Sequence, residues 1–183
     1  MIRLFLALEI PQNIRTLTLN EAKREFPEFS ELKWEDENKI HLTLKFIGDV
    51  PKKMVNGISS SLQFIENYNS LKCSLSTFGF FPDVTEPRVL WAGLKTDNAI
   101  FTLLNEINNE LLKKFSIPAD WKKFKPHLTL LRIKSIPEKY NKVPREFSEL
   151  PQDQFTINSA VLYQSILQPT GSVYKEIKKY KLK

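Results

Sequence analysis

His41-Leu42-Thr43-Leu44 and His127-Leu128-Thr129-Leu130 are one tetrapeptide written twice, and they take up both histidines of a 183-residue chain. Side chains alternate along a strand, so in each copy the His and Thr share one face and the two leucines share the other. The leucines are then core anchors, while the imidazole and the hydroxyl project together from the opposite face. A single His-x-Thr is an ordinary strand. A repeat that keeps its histidine asks for a further reason, because histidine is not a favoured core residue.

Outward from each tetrapeptide the same order of elements recurs. Arg3-Leu4-Phe5-Leu6-Ala7-Leu8 precedes the first copy, with His41 38 positions after Arg3. Arg88-Val89-Leu90-Trp91-Ala92-Gly93-Leu94 precedes the second, with His127 39 positions after Arg88. Strands are expected at Arg3–Ile10, Ile40–Ile47, Leu71–Phe80, Arg88–Leu94, His127–Ile133, Phe155–Leu167 and Val173–Leu182. Three helical runs separate them. Gln12 to Phe26 has an imperfect pattern. Met54, Ile58, Leu62 and Ile65 make one stripe, and Ile100, Leu103, Leu104, Ile107 and Leu111 make a cleaner one. Asp97 and Asn98 can cap that third helix, and Pro118 lies just past its end. The chain reads as a mixed helix and strand protein of two similar lobes, each giving one strand to a shared cleft. The internal repeat covers approximately 2–67 and 88–148. No Gly/Ser linker divides the lobes, so the expectation is a single domain over 1–183.

Composition narrows the function classes. The net charge of +6 favours polyanionic partners such as RNA. Basic residues gather at Lys122, Lys123 and Lys125, and again at Lys175, Lys178, Lys179, Lys181 and Lys183; a solvated face and a frayed tail fit the second group equally well. Cys73 is the sole cysteine, which rules out an intramolecular disulfide and a thiolate metal cluster and fits a reducing, cytoplasmic setting. The apolar start, Met1 to Ile10, carries Glu9 and runs into Pro11. It reads as a first strand, not as a signal peptide or a membrane span.

Two imidazoles and two hydroxyls facing one cleft suit phosphodiester hydrolysis. Imidazole titrates near neutrality, so one ring can act as base and the other as acid. One deprotonates water, and the other protonates a departing ribose oxygen. Threonine hydroxyls can donate to phosphate oxygens and stabilise developing charge. No metal or cofactor is required, and neither histidine has an obvious carboxylate beside it to complete a metal site. The symmetry of the motifs leaves the acid and base roles interchangeable.

The paired H-x-T-x motifs resemble the two-histidine (2H) phosphoesterase superfamily, and within it the RNA 2′,3′-cyclic phosphodiesterases, also called 2′-5′ RNA ligases. The likeness extends through Arg3 to Pro11, Trp34, and Glu37-Asn38-Lys39-Ile40-His41-Leu42-Thr43-Leu44-Lys45-Phe46-Ile47-Gly48-Asp49-Val50. It continues in Phe124-Lys125-Pro126-His127-Leu128-Thr129-Leu130-Leu131-Arg132 and in Ser165-Ile166-Leu167-Gln168-Pro169-Thr170-Gly171-Ser172-Val173-Tyr174. The resemblance implies an α+β, bilobal, duplicated domain: two antiparallel sheets with outer helices around a central cleft. It also implies roles. His41 is the proton donor to the leaving 3′ oxygen, His127 the proton acceptor from water, and Thr43, Thr129 and Arg132 the phosphate-binding groups. The implied product is a 2′-phosphomonoester, and the implied partner is RNA with 2′,3′-cyclic phosphate ends, tRNA halves among them. No membrane and no obligate protein partner are implied. Strict alternation from His127 puts Arg132 on the leucine face, so its role requires a bulge or a strong twist; an arginine snorkelling at the sheet edge is the alternative.

Competing readings are a 2′-5′ RNA ligase, an RNA-end-binding protein without turnover, and a 2H phosphodiesterase acting on a small cyclic nucleotide, ADP-ribose cyclic phosphate or 2′-5′ oligoadenylate. Trp34, Trp91 and Trp121 read as packing residues, with base stacking the alternative, and Phe5 fits either role. Gly48, Asp49 and Pro51 read as a turn, and Phe78-Gly79-Phe80-Phe81-Pro82 as a strand end followed by a turn.

Overall fold

A computed structural model describes residues 1–120, 123–140, 147–169 and 171–183. Trp121, Lys122 and Thr170 lie outside the described residues. Among the described residues the elements run β1 (Ile2–Glu9), α1 (Gln12–Glu25), β2 (His41–Val50), α2 (Val55–Ser61), β3 (Leu71–Phe81), β4 (Val89–Thr96) and α3 (Ala99–Phe115). They continue with β5 (His127–Arg132), β6 (Phe155–Ile157), β7 (Ser159–Gln168) and β8 (Gly171–Lys181).

All strand pairings are antiparallel, in the order β6-β3-β4-β5-β2-β1-β7-β8. Two halves, β6-β3-β4-β5 and β2-β1-β7-β8, meet where the two histidine strands lie side by side. That seam is narrow: β2 and β5 share the register pair Leu42↔Leu128. The result is the bilobal α+β architecture expected, with its two sheets joined into one curled sheet. The four leucines of the tetrapeptides are buried, none more than 2% exposed. They sit on the core face as alternation requires.

Periodicity located the helices well where the stripe was clean. Ile100, Leu103, Leu104, Ile107 and Leu111 of α3 are all buried. Asp97 Oδ1 accepts the Ala99 amide at 3.0 Å, while Asn98 closes the helix start through its backbone and makes no side-chain cap. The stripe through Met54 and Ile65 is only partly α-helical. Tighter 3₁₀ turns at Lys52–Met54 and Leu62–Asn67 flank the short α2, yet Ile58, Leu62 and Ile65 remain buried. Beyond α1, Phe26 and Phe29 pack on Phe80, and Phe26 also meets Phe78, tying the first crossover to β3 of the other half.

Three expectations need correcting. The run Phe155–Leu167 is two strands: β6 pairs with β3, whereas β7 pairs with β1, so the chain changes halves at Asn158. A continuous apolar run does not show where a strand changes partners. Gly48 and Asp49 do not form a turn, because β2 runs on to Val50. Gly48 takes φ +85° inside the strand, a conformation that favours glycine. Asp49 faces Arg3 across the register and accepts two hydrogen bonds from its guanidinium, at 3.2 and 2.8 Å. The C-terminal lysines are not a frayed tail either. Lys175, Lys178, Lys179 and Lys181 lie on β8, and Lys179 pairs with Glu9 at 2.7 Å.

Candidate active site

Each histidine opens its strand, and each ring is fixed by the carbonyl two residues before it. His41 Nδ1–H donates to the Lys39 carbonyl at 2.6 Å, and His127 Nδ1–H donates to the Lys125 carbonyl at 2.6 Å. A carbonyl can only accept, so the proton of each neutral ring sits on Nδ1 and the lone pair on Nε2. The Thr43 hydroxyl donates to His41 Nε2 at 3.1 Å. Antiparallel pairing about Leu42↔Leu128 sets position 41 toward 129 and position 43 toward 127. The two imidazole–hydroxyl pairs therefore adjoin across the seam.

Both rings are held in the neutral form. Burial pushes His41 down to about 4, against the favourable pull of the Lys39 carbonyl and helped by the charge of Arg132 and by repulsion from His127 whenever that ring is protonated. Burial also lowers His127, helped by the charges of Lys125 and Arg132 and opposed by the Lys125 carbonyl. The half-buried His41 is walled by aromatic rings: Phe5 at 5.1 Å between centroids, Tyr174 at 5.5 Å edge-on and Tyr163 at 6.4 Å. His127 meets the edge of Phe81 at 5.0 Å and Trp91 at 6.3 Å.

A bulge of the kind that a phosphate-binding role for Arg132 would require is present. Leu90 faces Leu131 but Trp91 faces Thr129, so Leu130 is an extra residue on β5. Past it the alternation changes phase, Leu131 is buried, and the exposed Arg132 turns out on the histidine side. Its charge is felt by both imidazoles, and its Nε pairs with Glu35 at 3.3 Å. The first motif has the same irregularity. Leu6 faces Lys45 and Ala7 faces Thr43, which makes Leu44 the extra residue. Phe46 thereby takes the place on β2 that Arg132 takes on β5, and it is 64% exposed.

The family model for LigT-like phosphoesterases matches residues 8–91 and 94–174. The chain belongs to the LigT-like phosphoesterase family. A relative from Archaeoglobus fulgidus is 31% identical over 96% of this chain and 98% of its own length; one from Aquifex aeolicus is 32% identical over 82% and 81%. Both carry the name RNA 2′,3′-cyclic phosphodiesterase. Among solved structures, TT0787 of Thermus thermophilus superposes with a TM-score of 0.84 at 26% identity, covering 98% of this chain and 97% of that one. Apo E. coli LigT shares the fold, with a TM-score of 0.79 at 22% identity over 99% and 97%.

Within this member of the LigT-like family, other residues singled out from the sequence find packing roles. Trp91 is buried: a Cβ on Gly79 would lie 2.2 Å from its ring, and Lys125 Nζ stands 4.0 Å from its centroid. Trp34 is partly buried and donates its indole N–H to the Phe29 carbonyl at 3.2 Å. Phe5 is buried and packs between His41 and Tyr163. Of the basic cluster before the second motif, Lys125 stands beside His127 and Lys123 is exposed. Tyr163 and Tyr174 were not anticipated. Register unites them, since Phe5 faces Tyr163 and Ser165 faces Tyr174, and no local sequence signal carries that information. Among the described residues, no group of three or more His, Cys, Asp or Glu side chains could hold a metal ion, and no helix is long and apolar enough to cross a membrane.

Proposed function

We propose that this chain opens 2′,3′-cyclic phosphate ends of RNA by metal-independent hydrolysis, leaving a 2′-phosphomonoester and a free 3′ hydroxyl. One observation carries the reading. Two imidazoles on adjoining strands have the same tautomer imposed by the same carbonyl contact, at 2.6 Å each, which leaves both Nε2 atoms for proton transfer. His127 Nε2 takes a proton from water as the water oxygen bonds to phosphorus. The bond from phosphorus to the 3′ oxygen breaks, and protonated His41 gives its Nε2 proton to that oxygen.

The surroundings of the two rings hold both neutral, so the substrate must bring the charge that protonates one of them. A cyclic phosphate anion beside Nε2 opposes the positive neighbours and favours an imidazolium. Once His41 Nε2 carries a proton it no longer accepts from Thr43, and that hydroxyl is released to donate to a phosphate oxygen. Thr129 and Arg132 supply further donors where charge develops. RNA as the substrate is supported by the names of the relatives and by the net charge of +6; tRNA halves are one RNA with the required end.

One bilobal domain with internal copies at about 2–67 and 88–148 is part of the same reading, supported by the matched extra residues Leu44 and Leu130. A cytoplasmic location is supported by Cys73 as the sole cysteine, which leaves no intramolecular disulfide and fits a reducing compartment. The test is hydrolysis of an oligonucleotide ending in a 2′,3′-cyclic phosphate in excess EDTA, followed by phosphorus NMR. A 2′-monoester is expected, and His41→Ala or His127→Ala should each lower the rate by about 10²–10⁴. Loss of activity in EDTA would remove the metal-free mechanism. Full turnover in either variant would remove the acid–base pair.

A further inference from the structure

A cavity of about 540 Å³ opens beside His41, walled by β1, the start of α1 and the β7–β8 hairpin. Its size falls within the range of small-ligand sites. Tyr163 and Tyr174 form an aromatic wall, and Asn38 and Asn158 stand on its polar side. Burial raises both phenols, Tyr163 to about 12, so they stay protonated as donors. The carboxylates that line the cavity have partners: Glu9 is held by Lys179 at 2.7 Å and by Ser159, and Asp36 accepts the Asn38 amide at 2.9 Å. Arg15 differs. Its Nε is buried in the wall without a hydrogen-bond partner. An unmet buried donor is unfavourable, and a ligand acceptor would relieve it.

We propose that this cavity is the subsite for the terminal nucleobase of the substrate, with Arg15 Nε donating to an acceptor on the base. The inference rests on the proposed hydrolysis and on its assignment of His41. The proton from His41 goes to the 3′ oxygen, which belongs to the ribose. The sugar therefore lies on the His41 side of the phosphate, and the base it carries enters the space beside His41. Aromatic walls with amide and guanidinium donors at the edges are how proteins hold a splayed, single-stranded base.

The experiment compares the four nucleoside 2′,3′-cyclic phosphates with methyl riboside 2,3-cyclic phosphate, which has no base. Wild type should show a markedly higher KM for the base-less compound. Arg15→Met should raise the KM for nucleotides roughly tenfold, the worth of one charged hydrogen bond, with kcat little changed. It should also bring the KM values with and without a base together. Asn158→Ala, at an exposed position, should alter the ranking of the four bases, and it carries the test if Arg15→Met fails to fold. Equal wild-type KM values with and without a base would overturn the inference while leaving the proposed hydrolysis intact. So would a proportional rise in both KM values in Arg15→Met. Should wild type open none of these compounds, the hydrolysis is what fails. The cavity is then judged by calorimetric binding of nucleoside 2′-monophosphates against ribose 2-phosphate, in wild type and both variants. Tighter nucleoside binding lost in the variants supports the base subsite, and equal binding overturns it.

Discussion

Replacing His41 by Asn should make the folded protein less sensitive to acid. Asn keeps an N–H near the place of Nδ1, so the donation to the Lys39 carbonyl can survive while the titrating ring is lost. Burial holds His41 at about 4 against an ordinary value of 6.5. As pH falls through 6.5 the unfolded chain takes a proton on this ring, whereas the folded chain resists until about 4. Between those values the unfolded state binds more protons, so stability declines as pH falls and is fully present above 6.5. At about pH 4.5 the loss from this one ring is roughly 2–3 kcal/mol, at about 1.4 kcal/mol per unit. Urea unfolding followed by far-UV circular dichroism at pH 7.5 and 4.5 gives the comparison. Asp49 and Asp83, also held low by their hydrogen bonds, act in both proteins and cancel in the difference. The variant should lie within about 1 kcal/mol of wild type at the higher pH, where one modest hydrogen bond is at stake. At the lower pH it should be the more stable protein. Parallel stability curves for the two proteins would refute the picture of a neutral imidazole held in a desolvated wall.

Arg132 lowers both histidines through its charge, so Arg132→Gln should move the acid limb of the kcat/KM profile to higher pH while reducing kcat by roughly a hundredfold; an unmoved limb would place the guanidinium outside the reaction field. Gly79→Ala sets a methyl 2.2 Å from the Trp91 ring, which Lys125 covers at 4.0 Å. The ring must shift, at about 1–3 kcal/mol, and the melting temperature should drop by several degrees; an unchanged melting curve would contradict the tight packing.

Much of this was legible because it is local. Alternation alone placed four leucines in the core and two His–Thr pairs on the opposite face, and the five apolar residues of α3 needed only their spacing. The phase of Arg132 showed that the phosphate-binding role implied by the resemblance needed a bulge or a strong twist, with an arginine snorkelling at the sheet edge as the alternative. What the sequence withheld depends on partners. Asn158 marks a change of sheet half only because Phe155 pairs with β3 and Ala160 with β1. Gly48 reads as a turn until the strand is seen to run past it. Tyr174 stands beside His41 because a hairpin folds it back beside Tyr163, with which it shares a ring contact at 6.2 Å.

The two motifs are alike through their tetrapeptides and unlike just beyond them. His, Leu, Thr and Leu match, and the extra residue falls at the fourth place in both strands. At the fifth place one strand has buried Lys45, reaching the Pro118 carbonyl at 2.7 Å and Asp120 at 3.2 Å, and the other has buried Leu131. At the sixth, exposed Phe46 stands opposite in character to Arg132. Around the rings the difference is one of charge: three aromatic residues wall His41, while His127 has two aromatic neighbours and a lysine beside it. Identical motifs cannot by themselves distinguish an acid from a base. In the proposed reaction the direction of proton transfer would then follow from these flanking differences, chief among them Phe46 on β2 against Arg132 on β5.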